Sequence, residues 1–190
     1  MQTLWGKLLA GEITEPGSFS LRTLATLKNL TVKEAALFQK IIPYLLTCPG
    51  NKTNSIEDHF LLCRGRMLAK YEITFPDIML LDEVGLISLS DQAYAGFTLE
   101  PNQSEMIVCR STNKAIKVNN LIESEVSIFH PSYLLTESGK ALVPIAKRHG
   151  FQVPLDSYLI DCLNAIKKHE YNQDVFESCN NKASIEIVDL

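Results

Sequence analysis

The chain lacks most of the features that would take it outside ordinary globular proteins. None of its apolar runs reaches the roughly twenty residues a membrane helix needs, and the start is not the charged-then-apolar form of a secretory leader. Its five cysteines, Cys48, Cys63, Cys109, Cys162 and Cys179, are odd in number and scattered, with no C-x-x-C pair. That excludes a disulfide framework and fits reduced thiols in the cytoplasm. In that setting Asn29-Leu-Thr31 and Asn51-Lys-Thr53 match the glycosylation pattern by chance. Basic charge is also short: 18 Lys and Arg stand against 22 Asp and Glu, a net charge of −4. A general nucleic-acid binder shows the opposite balance. There is no Walker loop, G-x-G-x-x-G, G-x-S-x-G or H-E-x-x-H, no repeat and no Gly/Ser linker, so no cofactor is implied.

What is present is a core-forming composition, with 46% apolar residues over 190 positions. That suffices for one domain or two closely packed subdomains. The most specific stretch is Leu4 to Leu30. Leu4, Trp5, Leu8 and Leu9 make one stripe of a short helix that Gly11 ends, and Pro16-Gly17 turns the chain back. Ser18 or Ser20 then caps a second helix whose inner face is Leu21, Leu24 and Leu27. Glu12 and Arg22 flank the turn, and this pair reads as a structural hinge rather than an acid/base couple. Met1 lies within a turn of Trp5, so the first helix has almost no room for its own cap. The expectation is a shortened form of a longer protein, with Met1, Trp5 and Leu8 as a partner contact.

This signature, W-x-x-L-L-x-G-E followed by P-G-x-x-S-x-R-T-L-x-x-L from Trp5 to Leu27, resembles that of an uncharacterised bacterial domain-of-unknown-function family. The likeness is specific over about thirty residues and implies a fold without a reaction or catalytic residues. More loosely, the helix order resembles the abortive-infection alpha proteins of phage defence, which would imply an antiviral setting.

Downstream, Thr31-Val-Lys-Glu34 is a capping box opening a helix with Ala35, Phe38, Ile42 and Leu45 on one face, which Pro43 kinks or ends. The spacing predicts a further helix from Ser55 to Tyr71, weakened by Gly65. Thr74 and Pro76 start the next, with Phe75, Ile78, Leu80 and Leu81 inward and Gly85 as its end. The period then changes to two, which predicts strands over Gln92–Leu99, Glu105–Arg110, Ala115–Val118 and Val126–Leu135. Thr136 caps a helix, and Pro154 begins one reaching Lys168 with Leu155, Leu159, Cys162, Leu163 and Ile166 inward. Asn172 to Lys182 reads as loose, and Ser184 to Val188 as an edge strand. The expected architecture is α+β: a helical layer over 1–73, a mixed segment with antiparallel strands over 74–150, and a C-terminal helix and tail over 151–190.

Helix, G-L-I, strands and Y-x-L-T-x-x-G-x-x-L, from Thr74 to Ile145, resemble a winged-helix arrangement. In such a fold the helix before G-L-I enters the major groove. Here that helix, Phe75 to Val84, carries Asp77, Asp82 and Glu83 and no basic residue. That is the wrong sign for phosphate. Arg110, Lys114 and Lys117, around a turn at Asn113, are the candidate nucleic-acid contacts, and nearby glutamates make them a solvated hairpin instead.

Other chemical signals are thin. His59 and Cys63 stand at i, i+4 on the predicted helix, but two ligands do not make a zinc site. Cys109 and His130 could face each other across strands as nucleophile and base, without a third orienting group. Arg64-Gly-Arg66 is a short solvent-facing basic spot. The reading is a non-enzymatic interaction module of a multi-protein or homo-oligomeric assembly, contacting its partner through the first helix and the Phe97–Ile128 hairpin region. The alternatives are a DNA-binding regulator and an enzyme or nuclease working near Glu12 and Arg22.

Overall fold

A computed structural model describes residues 6, 19–48, 59–62, 67–89, 94–109, 111–146, 154–176 and 182–190. It is an α+β protein in which helices come first, antiparallel strands follow and helices return. Helix α1 (Leu21–Asn29) starts at Ser20, whose hydroxyl accepts the Thr23 N–H at 3.1 Å. Helix α2 (Val32–Ile41) opens with the Thr31–Glu34 capping box. A 3-10 turn at Ile42–Tyr44 holds Pro43 and ends it, because proline brings no donor to continue the ladder. Thr74 and Asp77 make a second box at the start of α3 (Phe75–Glu83), and Gly85, at φ +75°, ends the turn after it.

The strands are β1 (Leu46–Thr47), β2 (His59–Leu62), β3 (Ile87–Ser88), β4 (Tyr94–Leu99), β5 (Ser104–Cys109), β6 (Lys114–Asn120), β7 (Val126–Leu135) and β8 (Ala183–Asp189). Their order is β3-β7-β2-β1-β5-β6-β8, every pair antiparallel, with β4 on the other half of β7. Leu134 of β7 pairs with both Phe60 and Ser88, so the C-terminal half of β7 lies between β2 and β3. The stretch between Ile87 and Thr136, long for a two-stranded wing, is filled by β4, β5, β6 and β7. Asn120 locks the two crossings at one end: its Nδ2 donates to the carbonyls of Leu99, Glu100 and Ser124, and its Oδ1 accepts from Ile122.

Helix α4 (Glu137–Ala146) begins where Thr136 Oγ1 accepts the Gly139 N–H at 3.0 Å and donates to the Gly85 carbonyl. Gly139 has no room for a Cβ, since the Leu86 carbonyl occupies that position. Helix α5 (Leu155–Lys167) follows, then a 3-10 turn at Glu170–Asn172 and the short α6 (Gln173–Phe176). Leu27, Phe38, Ile41, Leu46, Ile107, Ile116 and Leu159 share one core with residues of every layer.

Three expectations from the sequence change. The helix predicted over Ser55–Tyr71 is strand β2 over its described middle and a 3-10 turn at Leu68–Tyr71. A four-residue apolar run satisfies either period, and the edges offered by β1 and β7 decide it. Leu21 and Phe75, read as inward, are 85% and 58% exposed. Both stand in a first turn, where side chains lean toward the helix N-terminus and off the core. The segment read as loose from Asn172 holds α6, and Asn172 itself is fully buried.

Candidate interaction surfaces and polar clusters

Two buried polar clusters and two exposed surfaces are the places where chemistry could concentrate. The first cluster joins the N-terminal layer to α5. Tyr44, Tyr71 and Tyr158 are all buried, with ring centroids 5.0 to 5.4 Å apart. Two of the three pairs are edge-on, the arrangement favoured by ring quadrupoles. Tyr71 donates its hydroxyl to Asp161 Oδ2 at 2.9 Å, and Lys70 Nζ reaches the same oxygen at 2.9 Å. The Lys70 ammonium, with Tyr71 assisting, holds the Asp161 carboxyl below the usual range. Burial first, and Asp161 second, pushes the Tyr71 phenol above its own. The cluster is therefore a neutral phenol clamped to a paired carboxylate, with neither a free base nor an activated nucleophile.

The second cluster lies where β7 meets the end of α5. Asn172 Nδ2 donates to the carbonyls of Phe129 at 2.6 Å and Ile166 at 2.7 Å, and its Oδ1 accepts the Phe129 N–H at 2.9 Å. It thus serves as an extra strand partner for β7. His130 is 1% exposed, with Nδ1 2.6 Å from Ser132 Oγ. Burial, and behind it the neighbouring His169, pushes the His130 imidazole down to about 4. His169 is buried as well and accepts the Tyr171 N–H. Cys109 does not join this group. It sits on β5 with Sγ 3.8 Å from the Pro43 carbonyl, and β1 and β2 separate it from β7. Three strand spacings make roughly 14 Å, so the suggested Cys109–His130 couple is not assembled. The Cys48 thiol is driven up to about 12 by burial and by Glu105, which leaves it an inert side chain.

The sequence-derived candidates scatter. Arg22 is exposed on α1, while Glu12, Met1, Trp5, Leu8, Arg110 and Cys63 lie outside the described residues. His59 is in a strand, so the helical spacing that linked it to Cys63 does not apply. Lys114 is held by Asp156 of α5 at 2.8 Å, and Lys117 stands on β6 opposite Met106 and Glu186. Among the described residues no group of three or more His, Cys, Asp or Glu could hold a metal, and no helix is long and apolar enough to cross a membrane. Clefts of about 340 and 350 Å³ flank α5 and share Asn164 and Lys168. The second is lined further by Met67, Asp161 and Ala165.

The exposed surfaces are a helix face and a sheet edge. On α3, Phe75 and Met79 are 58% and 51% exposed at i, i+4, hence side by side. Asp77 is spent on the capping box and Asp82 accepts the Leu89 N–H at 2.8 Å. Glu83 is exposed at the far end of the helix, and Glu72 just before it holds Lys40. Among the described residues strand β8 has a neighbour, β6, on one side only. Sequence reasoning missed Asn172, Tyr158 and the outward turn of Phe75. Only Phe75 carried a local signal, its place in the first turn.

A family model for a protein of unknown function matches residues 1–152. No curated protein and no solved structure matches.

Proposed function

The chain belongs to that family, DUF2806, and we propose that it is a non-enzymatic protein-interaction module, one part of a bacterial multi-protein or homo-oligomeric assembly in the cytoplasm. The observation that carries this reading is the α3 face. Phe75 and Met79 present apolar surface to solvent on a helix without a single basic residue, bounded by Glu72 and Glu83. Exposed apolar side chains rimmed by charge mark docking sites, and the sign selects a partner segment that brings apolar anchors between lysines or arginines. The Met1, Trp5 and Leu8 stripe is a second proposed contact, on its spacing alone, and phage defence is the proposed biological setting, on the loose resemblance to the abortive-infection alpha proteins alone.

The test is affinity capture from the native host with wild-type protein and a Phe75→Ala/Met79→Ala variant of equal melting temperature, followed by titration of the purified pair. The reading expects a basic partner segment whose affinity falls at least about tenfold in the variant and weakens with salt. A partner indifferent to both changes would overturn it.

A DNA-binding regulator is the second reading, favoured by the basic residues Arg110, Lys114 and Lys117 near the β5–β6 turn. Against it, Lys114 is already paired with Asp156 and the α3 helix is acidic. A duplex gel shift at low salt, lost when the three are changed to Glu, is the result that would replace the docking proposal.

A further inference from the structure

The phase of the β6–β8 ladder decides what the free edge of the sheet offers. Leu190 donates its N–H to the Asn113 carbonyl at 2.8 Å, and Leu121 donates to the Lys182 carbonyl at 2.9 Å. Across an antiparallel ladder, facing residues alternate between bonded and non-bonded pairs. These two bonds therefore set the alternation for the whole strand. Val188, Glu186 and Ser184, opposite Ala115, Lys117 and Asn119, turn their peptide groups toward β6. Asp189, Ile187 and Ile185 turn theirs away from it. Among the described residues no strand pairs with that outer side.

Exposed edges are commonly blunted by proline, lysine or a bulge, because a row of unpaired peptide groups is a template for another strand. The run Ala183–Asp189 has no proline, lysine or bulge, its register to β6 is unbroken, and its two charges, Glu186 and Asp189, are both acidic. Accessibility also rises along it: Ala183 and Ile185 are buried, Ile187 and Val188 half-buried, Glu186, Asp189 and Leu190 exposed. The open part is the last half of the strand.

We propose that a second copy of this chain adds its own β8 antiparallel to this edge, with the two-fold axis at Ile187. Few registers allow it, since outward peptide groups must meet outward peptide groups. An axis at Glu186 sets that carboxylate against its own mate, a like-charge pair. An axis at Ile185 moves the contact onto the buried end. An axis beyond Ile187 carries the pairing past Asp189, where β8 ends. At Ile187 the isoleucines face each other, Glu186 lies opposite Val188, and the outward groups of Ile185 and Asp189 meet. Both strands bring Glu186 and Asp189, so the dimer strengthens as salt screens them. This proposal goes beyond the α3 reading, on a different surface and with a different partner.

Sedimentation equilibrium of the full chain in reducing buffer over a wide concentration range tests it. Ile187→Pro removes one outward donor and leaves the bonds to β6 in place. Ile187→Lys keeps the backbone and sets two ammonium groups together on the axis. The expected result is a wild-type dimer favoured by added salt, with association weakened at least about tenfold in both variants, each checked for folding by circular dichroism. Phe75→Ala/Met79→Ala is expected to dimerise like the wild type, which separates this edge from the α3 face. A wild type that stays monomeric overturns the proposal. So does a folded Ile187→Lys that associates as tightly as the wild type, or a dimer lost only in the α3 variant.

Discussion

Strands β7 and β8 belong to one sheet and treat their peptide groups in opposite ways. β7 has neighbours on both sides, β4 and β3 along one edge and β2 on the other. Beyond β2's reach, Asn172 takes over at Phe129 and bonds both its N–H and its carbonyl. β8 is bonded to β6, and among the described residues no strand pairs with its outer row. The difference teaches where to look for function in a protein whose described buried polar clusters, around Tyr71 and Asn172, are engaged in holding it together. Among the described residues the outer row of β8 is where a run of backbone bonding capacity stays unused.

The sharpest way to break the comparison is Asn172→Ala. It strips three side-chain bonds, two from the part-buried Phe129 peptide groups and one from the buried Ile166 carbonyl, a loss of about 2 to 3 kcal/mol at 1 to 3 for a fully buried orphan and less for groups that water can reach. Urea unfolding measures it, and a loss under about 1 kcal/mol would mean β7 does not depend on this residue. Acidification comes next. His130, held at about 4 when folded against an ordinary 6.5, binds fewer protons folded than unfolded within that window. Stability therefore rises with pH from about 4 to about 6.5 and is lost on the way down, by a few kcal/mol. Urea midpoints across this range, compared with those of a folded His130→Gln variant, isolate the contribution; equal slopes would dismiss it. The smallest effect belongs to β8. Glu186→Thr on the exposed edge should change unfolding free energy by less than about 0.5 kcal/mol, as surface substitutions do. A large loss there would show that β8's outer side is less open than its register implies.

Much of this was readable beforehand, and the reasons are local. The capping residues Thr31, Thr74 and Thr136 announce their helices because each bond spans three residues. The alternation in β7 is visible because period two is written in consecutive side chains, and its predicted limits coincide with the observed Val126–Leu135. What was not readable depends on distant partners. β2 is a strand because Leu46 and Leu134 stand on either side of Phe60. Asn172 is polar and sits in a polar stretch, and only contact with Phe129, remote in sequence, gives it a role. The α3 face lay between these cases. Its acidic character is plain in the sequence, but the spacing that points Phe75 at the core takes no account of helix ends. The basic trio followed the same pattern, since the turn near Asn113 was legible and the Lys114–Asp156 contact was not.

The placement of β8 next to β6 also shapes how the molecule is made. β5 and β6 form a hairpin and can zip together soon after they leave the ribosome, but the other margin of β6 must wait until Ala183–Asp189 are synthesised. In that interval Ala115, Ile116 and Val118, none of them accessible in the finished protein, lack their last neighbour. Nascent chains are at greatest risk of sticking to one another while such a margin is bare. Slow translation after β7 would lengthen that window.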